Sequence, residues 1–283
     1  MMPKQPRQAI ITQDVLQCIE EDVKQGDLTA QLLPVSATID GKIISRESGI
    51  ICGLAWAEEA FRIIDKTIEV DWQVNDGDAV HDQTVLCKLQ GNARQILTAE
   101  RQALNLLQTL SGTATVARQY VDAIKHTKAK LLDTRKTIPG LRDAQKYAVL
   151  CGGGNNHRMG LYDGILIKEN HLRCGKSLTN VVKTALNSVP EGTLVELEVE
   201  TIEQMQQGID AGIQRVLLDN FTLEELKEAV AINADRIDLE ASGNVAIDTI
   251  AAIAETGVDY ISSGAITKHV RALDLSLLFD LTV

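Results

Sequence analysis

The chain has 283 residues, of which 45% are hydrophobic and 24% are charged, and its formal net charge is -11 at pH 7. This length and apolar content support a large core in one large domain or two smaller ones. The acidic balance excludes broad binding to nucleic acid or to an anionic membrane, so any anion must be bound at a local site.

The sequence shows no sign of export or membrane insertion. No apolar run approaches the roughly 20 residues of a membrane-spanning helix, and the start, MMPKQPRQAI, has no apolar segment before a small-residue cleavage site. We therefore expect a cytoplasmic protein. The cysteines form no Cys-x-x-Cys pair, so we expect reduced, mostly buried thiols rather than a zinc site or disulfides. They are Cys18, Cys52, Cys87, Cys151 and Cys174.

The first part of the chain, to about residue 111, mixes short helices and strands. Apolar residues at helical spacing predict helices at about 12–24, 55–64 and 97–111. Alternating residues predict strand structure within 37–51. The turn sequence Asn-Asp-Gly-Asp at 75–78 predicts a hairpin within 69–89.

A different rhythm begins after Gly112. A predicted helix at about 113–128 leads into apolar strands that alternate with helical stretches, and the last four strands recur roughly every 21 residues. This alternation predicts βα units around a parallel sheet, and its regularity favours a closed barrel. We predict a TIM-like α/β barrel of about six strands, at 129–133, 164–167, 194–200, 215–218, 236–241 and 258–262.

Polar residues follow each predicted barrel strand. In parallel α/β barrels the loops after the strands form one rim, where ligands bind, so six distant places contribute to one ring. By the alternation of side chains along a strand, Glu196, Glu198 and Glu200 share a face, and buried carboxylates there would need cationic partners. A structural ring of salt bridges is the alternative for any single member. The strand-end residues are Asp133, Thr134, Arg135, Lys136, Lys168, Glu169, Asn170, His171, Glu198, Glu200, Asp219, Asn220, Glu240, Ser242, Gly243, Asn244, Ser262, Ser263 and Gly264, which is followed by Ala265.

The segment 134–172 concentrates positive charge on this acidic chain. Arginine grips carboxylate or phosphate at two points, and lysine offers a mobile point charge. The cations are interleaved with Gly, Asn and His beside apolar strands, which favours a polyanion site over a solvated basic face. The segment includes Arg135, Lys136, Arg142, Lys146, His157, Arg158, Lys168 and His171.

These residues suit a phosphorylated sugar and a second, carboxylated substrate. The small loops at 242–244 and 263–265 would bind phosphate through backbone N–H groups at helix N-termini. Glu198 and Asp219 suit sugar hydroxyls or a divalent ion that bridges diphosphate oxygens. The glycine run at 152–154 is not completed to Gly-x-Gly-x-x-Gly, because His157 stands at the last position, and no complete Gly-x-x-x-x-Gly-Lys-Ser/Thr P-loop motif is present. NAD or ATP binding by those routes is therefore disfavoured.

Motifs along nearly the whole chain resemble the quinolinate phosphoribosyltransferase family. They are GDLT from residue 26, AERQALN from 99, TRKT from 134, GGGNNHR from 152, LIKENH from 166, EVET from 198, LLDNF from 217, LEASGN from 239 and SSGAIT from 262. The resemblance implies an N-terminal α+β open-faced sandwich domain over 1–112, with 273–283 packing back on it, and a barrel domain over 113–272. It also implies a homodimer with shared active sites, or a hexamer built from such dimers.

The resemblance further implies a reaction, in which quinolinate and phosphoribosyl diphosphate give nicotinate mononucleotide, diphosphate and CO₂ with Mg²⁺ in NAD biosynthesis. Arg101 would reach the neighbouring subunit's quinolinate, whose carboxylates would be held by Arg135, His157 and Arg158, with Thr134 also binding substrate. The catalytic residues would be Lys136 and Lys168, near the diphosphate, and Glu198 and Asp219, near the ribose hydroxyls or the Mg²⁺. The loops Ser242, Gly243, Asn244 and Ser263, Gly264, Ala265 would take the 5-phosphate.

Two other functions fit parts of this pattern. A paralogous phosphoribosyltransferase for another pyridine or small acid would keep the phosphate loops and change the carboxylate clamp. A non-catalytic module that binds phosphorylated sugars would not need Lys136, Lys168, Glu198 and Asp219 together. A turnover assay separates these alternatives.

Overall fold

The structure, a computed structural model, describes residues 3–172 and 177–282. The chain divides into two compact units: Met1–Arg118, Ile138–Gly153 and His269–Val283 form the first, and Gln119–Thr137 and Gly154–Lys268 form the second. No helix among the described residues is long and apolar enough to cross a membrane.

The secondary structure elements alternate along the whole chain. In order they are α1 (Gln8–Asp22), a 3₁₀ turn (Ala30–Leu32), β1 (Thr38–Ser45), β2 (Gly49–Ile50), α2 (Leu54–Ile64), β3 (Glu69–Trp72), β4 (Ala79–Val80), β5 (Val85–Asn92), α3 (Ala93–Ile124), β6 (Lys130–Leu132), α4 (Arg142–Cys151), β7 (Gly164–Ile167), α5 (Glu169–Leu172), α6 (Leu178–Ser188), β8 (Leu194–Val199), α7 (Ile202–Asp210), β9 (Arg215–Asp219), α8 (Leu223–Asn233), β10 (Asp238–Ser242), α9 (Ile250–Ala254), β11 (Tyr260–Ser262), α10 (Ala265–Lys268) and β12 (Leu275–Thr282).

The first unit contains a four-stranded antiparallel sheet in the order β12-β1-β5-β3. Helices cover this sheet with apolar residues at helical spacing, including Trp56 and Phe61 of α2 and Ile11 of α1, which are all fully buried. The predicted α+β character of this region is confirmed. The predicted boundary at residue 112 falls inside α3, and β12 near the C-terminus pairs with β1.

The structure differs from two predictions for this region. The two helices predicted at 97–111 and 113–128 are one helix, α3, which continues through Gly112. Gly112 does not end the helix; it lets the backbone of Arg271 approach, because a Cβ there would lie 2.1 Å from the Arg271 carbonyl oxygen. The hairpin predicted within 69–89 is confirmed in part: the turn at 75–78 forms and β3 pairs antiparallel with β5, but β4 lies between these strands in the chain and pairs with β2.

A buried carboxylate holds the start of α2. Asp76 Oδ1 accepts the backbone N–H groups of Gly53 at 2.9 Å and Leu54 at 3.1 Å, and Oδ2 accepts the Tyr147 hydroxyl at 2.9 Å. Gly53 supplies no side-chain cap and has φ 108°, so Asp76 satisfies N–H groups that a helix leaves open at its N-terminus. Burial nevertheless raises the pKa of Asp76.

The cysteines in the described residues are free thiols, as expected. Cys18 is half-buried, and Cys52, Cys87 and Cys151 are buried. Burial raises the pKa of Cys52 well above its ordinary value, so this thiol stays neutral and unreactive. Cys174 lies outside the described residues.

The second unit is the predicted TIM-like α/β barrel. Its parallel sheet has six strands in the order β6-β11-β10-β9-β8-β7, and each strand begins and ends within two residues of the predicted bounds. Threonine caps open the helices after β8 and β9: Thr201 accepts the N–H of Gln204, and Thr222 forms a capping box with Glu225. These caps fix where strand gives way to helix, and so they define the rim that carries the candidate site.

Candidate active site

The carboxyl ends of the barrel strands enclose a cavity of about 460 Å³. Its lining brings together residues that lie more than 100 positions apart in the sequence. Predicted site residues in the lining are Thr134, Arg135, Lys136, His157, Arg158, Lys168, Glu198, Asp219 and Ser242, and they are joined by Leu166, Leu217, Glu240 and Ser262.

Other predicted residues lie outside this lining. Gly243, Asn244, Ser263, Gly264 and Ala265 are not among the described residues that line the cavity, although they directly follow β10 and β11. The loop after β10 does not open a helix at once, because α9 begins only at Ile250. The expected helix N-terminus at 242–244 is therefore wrong.

Glycine is required in the first of these loops. Gly243 has φ 98°, and a Cβ there would lie 2.2 Å from Asn220 Oδ1. Asn244 Nδ2 donates to the same Asn220 oxygen at 3.3 Å. The loops after β9 and β10 are thus packed directly against each other.

Arg101 lies on α3, in the first unit. Its side chain is 61% exposed, and it forms an ion pair of 3.3 Å with Glu100. Exposed pairs of this kind contribute little to folding stability, so the structure gives Arg101 no strong structural role. Its role toward a neighbouring subunit stays a prediction.

Two arginines give the cavity its concentrated positive charge. Arg135 follows β6, and Arg158 precedes β7, where its Nη1 donates to the Gly164 carbonyl at 3.1 Å. Partial burial, and then repulsion from the Arg135 guanidinium, lower the pKa of Arg158 from its ordinary value. Two partly desolvated guanidinium groups that repel each other are stabilised by a shared anion, and a carboxylate suits their planar donors.

A lysine and a carboxylate meet at the ends of β7 and β8. Lys168 Nζ contacts Glu198 Oε2. Lys168 is thus a cationic partner of the kind that the sequence predicted for the carboxylates of this strand. Asp219, at the end of the neighbouring β9, accepts from Asn220 Nδ2 at 2.9 Å. Both carboxylates line the cavity, and carboxylate oxygens are the ligands that Mg²⁺ takes in proteins, so this pair fits a divalent cation bound together with phosphate oxygens.

The backbone of Lys136 is held by hydrogen bonds with two threonines, one near it in the sequence and one on α10. Lys136 N donates to Thr134 Oγ1 at 3.0 Å, and its carbonyl accepts Thr267 Oγ1 at 2.8 Å. A Cβ at Gly264 would come within 2.9 Å of Lys136 Cδ, so the small loop lets the lysine stem lie against it. Lys136 is exposed toward the cavity on an ordered base.

Beneath the rim lies a buried group of three titratable side chains. His157 Nε2 lies 2.8 Å from Glu196 Oε2 and 3.6 Å from Glu240 Oε2, and neither carboxyl side chain is exposed. Burial raises the pKa of Glu196 to about 7, and burial followed by repulsion from Glu196 raises the pKa of Glu240 to about 8. The sequence placed Glu240 at the end of a barrel strand but assigned it no role in binding or catalysis, although it shares a strand face with Ser242.

A second cavity, of about 620 Å³, adjoins the first. The two share Arg135, Arg158, Leu166 and Lys168 in their linings. The second cavity runs along β7 to one face of α6, where Val181 and Ala185 line it. The arginine pair therefore faces two connected spaces.

Models of one protein family match this chain in two parts. Residues 27–111 match the N-terminal domain of quinolinate phosphoribosyl transferase, and residues 113–278 match its C-terminal domain. Together these matches span most of the sequence.

Individual proteins are similar over nearly the full length. Quinolinate phosphoribosyltransferase [decarboxylating] 2b, mitochondrial, of Nicotiana tabacum is 42% identical over 274 residues, which cover 90% of this chain and 78% of that protein. A probable nicotinate-nucleotide pyrophosphorylase [carboxylating] of Bacillus subtilis is 38% identical over 91% of this chain and 89% of its own. The solved structure of the nicotinate-nucleotide pyrophosphorylase from Francisella tularensis is 46% identical, with a TM-score of 0.94 over 98% of this chain and all of that one.

Proposed function

The chain belongs to the quinolinate phosphoribosyltransferase family, and we propose that the cavity at the strand ends is its active site. The reaction is that of NAD biosynthesis: quinolinate and phosphoribosyl diphosphate give nicotinate mononucleotide, diphosphate and CO₂. The observation that supports this assignment is the arginine pair, Arg135 and Arg158, in one cavity with Lys136, Lys168, Glu198 and Asp219. That set provides for two anionic substrates at once.

Arg135 and Arg158 hold the two carboxylates of quinolinate. Each guanidinium can donate two parallel N–H bonds to one carboxylate, which fixes the plane of the pyridine ring. His157 lines the same cavity, but its two ring nitrogens already have protein partners, so the guanidinium groups make the clamp. Orientation of this kind is worth several kcal/mol, about 7 or more for well-placed reactants.

Lys136 and Lys168 lie where they can stabilise the departing diphosphate. As the bond from ribose C1 to the diphosphate oxygen breaks, its electron pair leaves with the diphosphate, and C1 becomes cationic. Glu198 and Asp219 stabilise that charge through the ribose hydroxyls or directly, while the lysines stabilise the negative charge on the leaving group. The quinolinate nitrogen then bonds to C1 without a covalent enzyme intermediate.

Decarboxylation follows from the positive charge on the ring. With its nitrogen quaternised, the ring accepts the electron pair that remains at C2 when CO₂ leaves, and one proton is then taken up at that carbon. The residues of the cavity hold the remaining carboxylate during this step. The enzyme mainly positions the anions and offsets their mutual repulsion.

Magnesium would be held by Glu198 and Asp219, because hard divalent cations take carboxylate and phosphate oxygens as ligands. Bound there with the diphosphate oxygens, it would supply further stabilisation of the leaving group's charge. Ser242, Gly243, Asn244 and Ser263, Gly264, Ala265 stay the proposed 5-phosphate loops. The second loop passes close to Lys136, since a Cβ added at Gly264 would lie 2.9 Å from Lys136 Cδ, and this proximity to a cavity lysine supports the proposal.

The proposed assembly is a homodimer in the cytoplasm. Apolar side chains on the loop before β1 support a protein interface: Leu28, Leu32 and Val35 are 81%, 83% and 72% exposed. Arg101 is the residue that a partner subunit would contribute to quinolinate binding. Sedimentation velocity on the purified chain tests the dimer against a hexamer of such dimers.

A product assay tests the function. Purified protein is incubated with phosphoribosyl diphosphate, Mg²⁺ and either quinolinate or nicotinate. Nicotinate mononucleotide and diphosphate forming with quinolinate only is the expected result. Product from nicotinate would instead favour a paralogous transferase, and binding without any product would favour a non-catalytic phosphosugar-binding module.

A further inference from the structure

His157 uses both ring nitrogens within the protein. Its Nδ1 accepts the backbone N–H of Arg158 at 2.7 Å, and its Nε2 lies 2.8 Å from Glu196 Oε2. A backbone N–H can only donate, so Nδ1 must offer its lone pair. The proton of the neutral ring therefore sits on Nε2 and is donated to Glu196.

Glu240 completes this arrangement from the next strand but one. One Glu240 oxygen lies 3.6 Å from His157 Nε2. One ring nitrogen of His157 and one carboxyl oxygen each of Glu196 and Glu240 all lie within 4.8 Å of one another. The side chains of Glu196 and Glu240 are both fully buried, so no water competes for the imidazole. Glu196 Oε2, the nearer of the two carboxyl oxygens, is placed to accept the imidazole N–H.

The backbone on either side of His157 is also fixed. His157 N donates to Asp133 Oδ1 at 2.9 Å, and Asn156 Nδ2 donates to Asp133 Oδ2. Asn155 exchanges backbone hydrogen bonds with β6, donating to Leu131 O at 2.9 Å and accepting from Asp133 N at 3.1 Å. The hydrogen bond from the Arg158 N–H to His157 Nδ1 extends this series to Arg158, which is the residue proposed to bind quinolinate.

We propose that Glu196 and Glu240 are positioning residues that hold His157 as its Nε2–H tautomer, and that His157 in turn fixes the Arg158 backbone for quinolinate binding. His157 then acts on the substrate through Arg158 rather than by donating to a carboxylate. This role rests on the proposed function. It adds to the site two fully buried carboxyl residues, of which Glu240 is also in the lining of the cavity and Glu196 is not.

The first test is spectroscopic and needs no turnover. The ring nitrogens of the five histidines are labelled with ¹⁵N in the full chain, and the His157 signals are assigned by their loss in His157→Asn. The expected spectrum shows a pyrrole-type Nε2 and a pyridine-type Nδ1. A protonated Nδ1 in the free protein would overturn the proposal, whether or not the enzyme makes product.

The second test separates positioning from general damage. Glu196→Gln keeps an oxygen to accept Nε2–H and an amide to donate to Glu240, whereas Glu196→Leu keeps neither. We expect Glu196→Leu to raise the KM for quinolinate about tenfold while the KM for phosphoribosyl diphosphate stays within about twofold, the size of effect expected for one buried hydrogen bond. Glu196→Gln should restore the KM for quinolinate to within about threefold of the unaltered enzyme.

The controls keep these outcomes distinct. Glu228→Gln removes an exposed carboxylate on α8 that lines neither of the two cavities, and it should change neither KM. An equal rise in both KM values in Glu196→Leu, or no rescue by Glu196→Gln, would overturn the positioning role. Absence of product from the unaltered enzyme would instead count against the proposed function, and the nitrogen spectrum would still decide the tautomer. Should Glu196→Leu not fold, the spectrum and Glu196→Gln carry the test.

Discussion

Thr267 Oγ1 donates a hydrogen bond of 2.8 Å to the carbonyl of Lys136. Thr267 is fully buried on α10, after β11, and Lys136 lies in the segment after β6, so one hydroxyl joins the segments that follow two paired strands. The position of the proposed diphosphate-binding lysine thus depends on a residue that does not face the cavity.

Thr267→Val should lower both stability and turnover. It keeps the shape but removes the hydroxyl, which leaves the partly buried carbonyl of Lys136 with one partner fewer, at a cost of about 1 kcal/mol in unfolding free energy. Urea denaturation and steady-state kinetics measure the two effects. Thr267→Ser, which retains the donor, should keep turnover close to that of the unaltered enzyme, and equal losses in both variants would contradict the role of this bond.

Lys168→Met and Glu198→Gln should each lower kcat/KM by about 100-fold or more, because each removes a charge that acts in the transition state. Since Lys168 contacts Glu198, the double variant should lose much less than the product of the two single losses. Lys227→Met, which removes an exposed lysine on α8, is the matched control. Simple additivity of the two losses would show that the pair does not act as a unit.

Arg101→Ala and Lys136→Ala should each be inactive alone and active when mixed. Random exchange of subunits between the two variants produces hybrid dimers with one complete site, which gives about a quarter of the unaltered activity at equal mixing. The assay is product formation after incubation of the mixture, with each variant mixed with itself as the control. If the mixture stays inactive, the shared-site homodimer is wrong.

Stability should fall as the pH rises from about 5 to about 8. Burial raises the pKa of Glu240 from 4.5 to about 8, so in this range the folded chain holds a proton that the unfolded chain releases. One such group contributes up to about 1.4 kcal/mol per pH unit. Glu240→Gln, which is neutral at every pH, should show a smaller decrease in unfolding free energy across the range, measured by urea denaturation at each pH. An unchanged pH dependence would mean that Glu240 does not carry this proton.

Gly112→Ala should destabilise the first unit although alanine favours helices by about 1 kcal/mol. The new Cβ would lie 2.1 Å from the Arg271 carbonyl oxygen and 3.0 Å from its carbonyl carbon, which are backbone atoms that cannot turn away. We expect a net loss of about 2 kcal/mol in unfolding free energy. Gly208→Ala on α7 is the matched control, because its Cβ would meet the flexible end of Leu197, and it should cost less.

Local patterns in the sequence predicted much of the fold and most of the cavity lining. Apolar runs with helical stretches between them located the six barrel strands to within two residues, because the repeat length and periodicity of βα units are encoded locally. The rule that strand ends share one rim also predicted that Lys136, Lys168, Glu198 and Asp219 lie together, as they do in the cavity lining. The family motifs supplied the reaction.

Pairing between distant segments was not predictable in the same way. The turn at 75–78 is local, but the strand that pairs with β3 is β5 rather than β4, and this choice depends on which apolar faces meet across the sheet. Gly112 was predicted to break a helix, but it lets a neighbouring backbone approach instead. The sequence alone does not distinguish these two uses of a glycine.

The sequence by itself determined the barrel, the polar rim and the family, since each rests on a repeating pattern or on contiguous motifs. Only the tertiary structure decided which titratable side chains meet below that rim. Residues 157, 196 and 240 come together through sheet register and loop packing, which set distances that no local spacing encodes. The contacts of His157 with Glu196 and with the Arg158 N–H, both under 3 Å, are the distances on which its proposed positioning role rests.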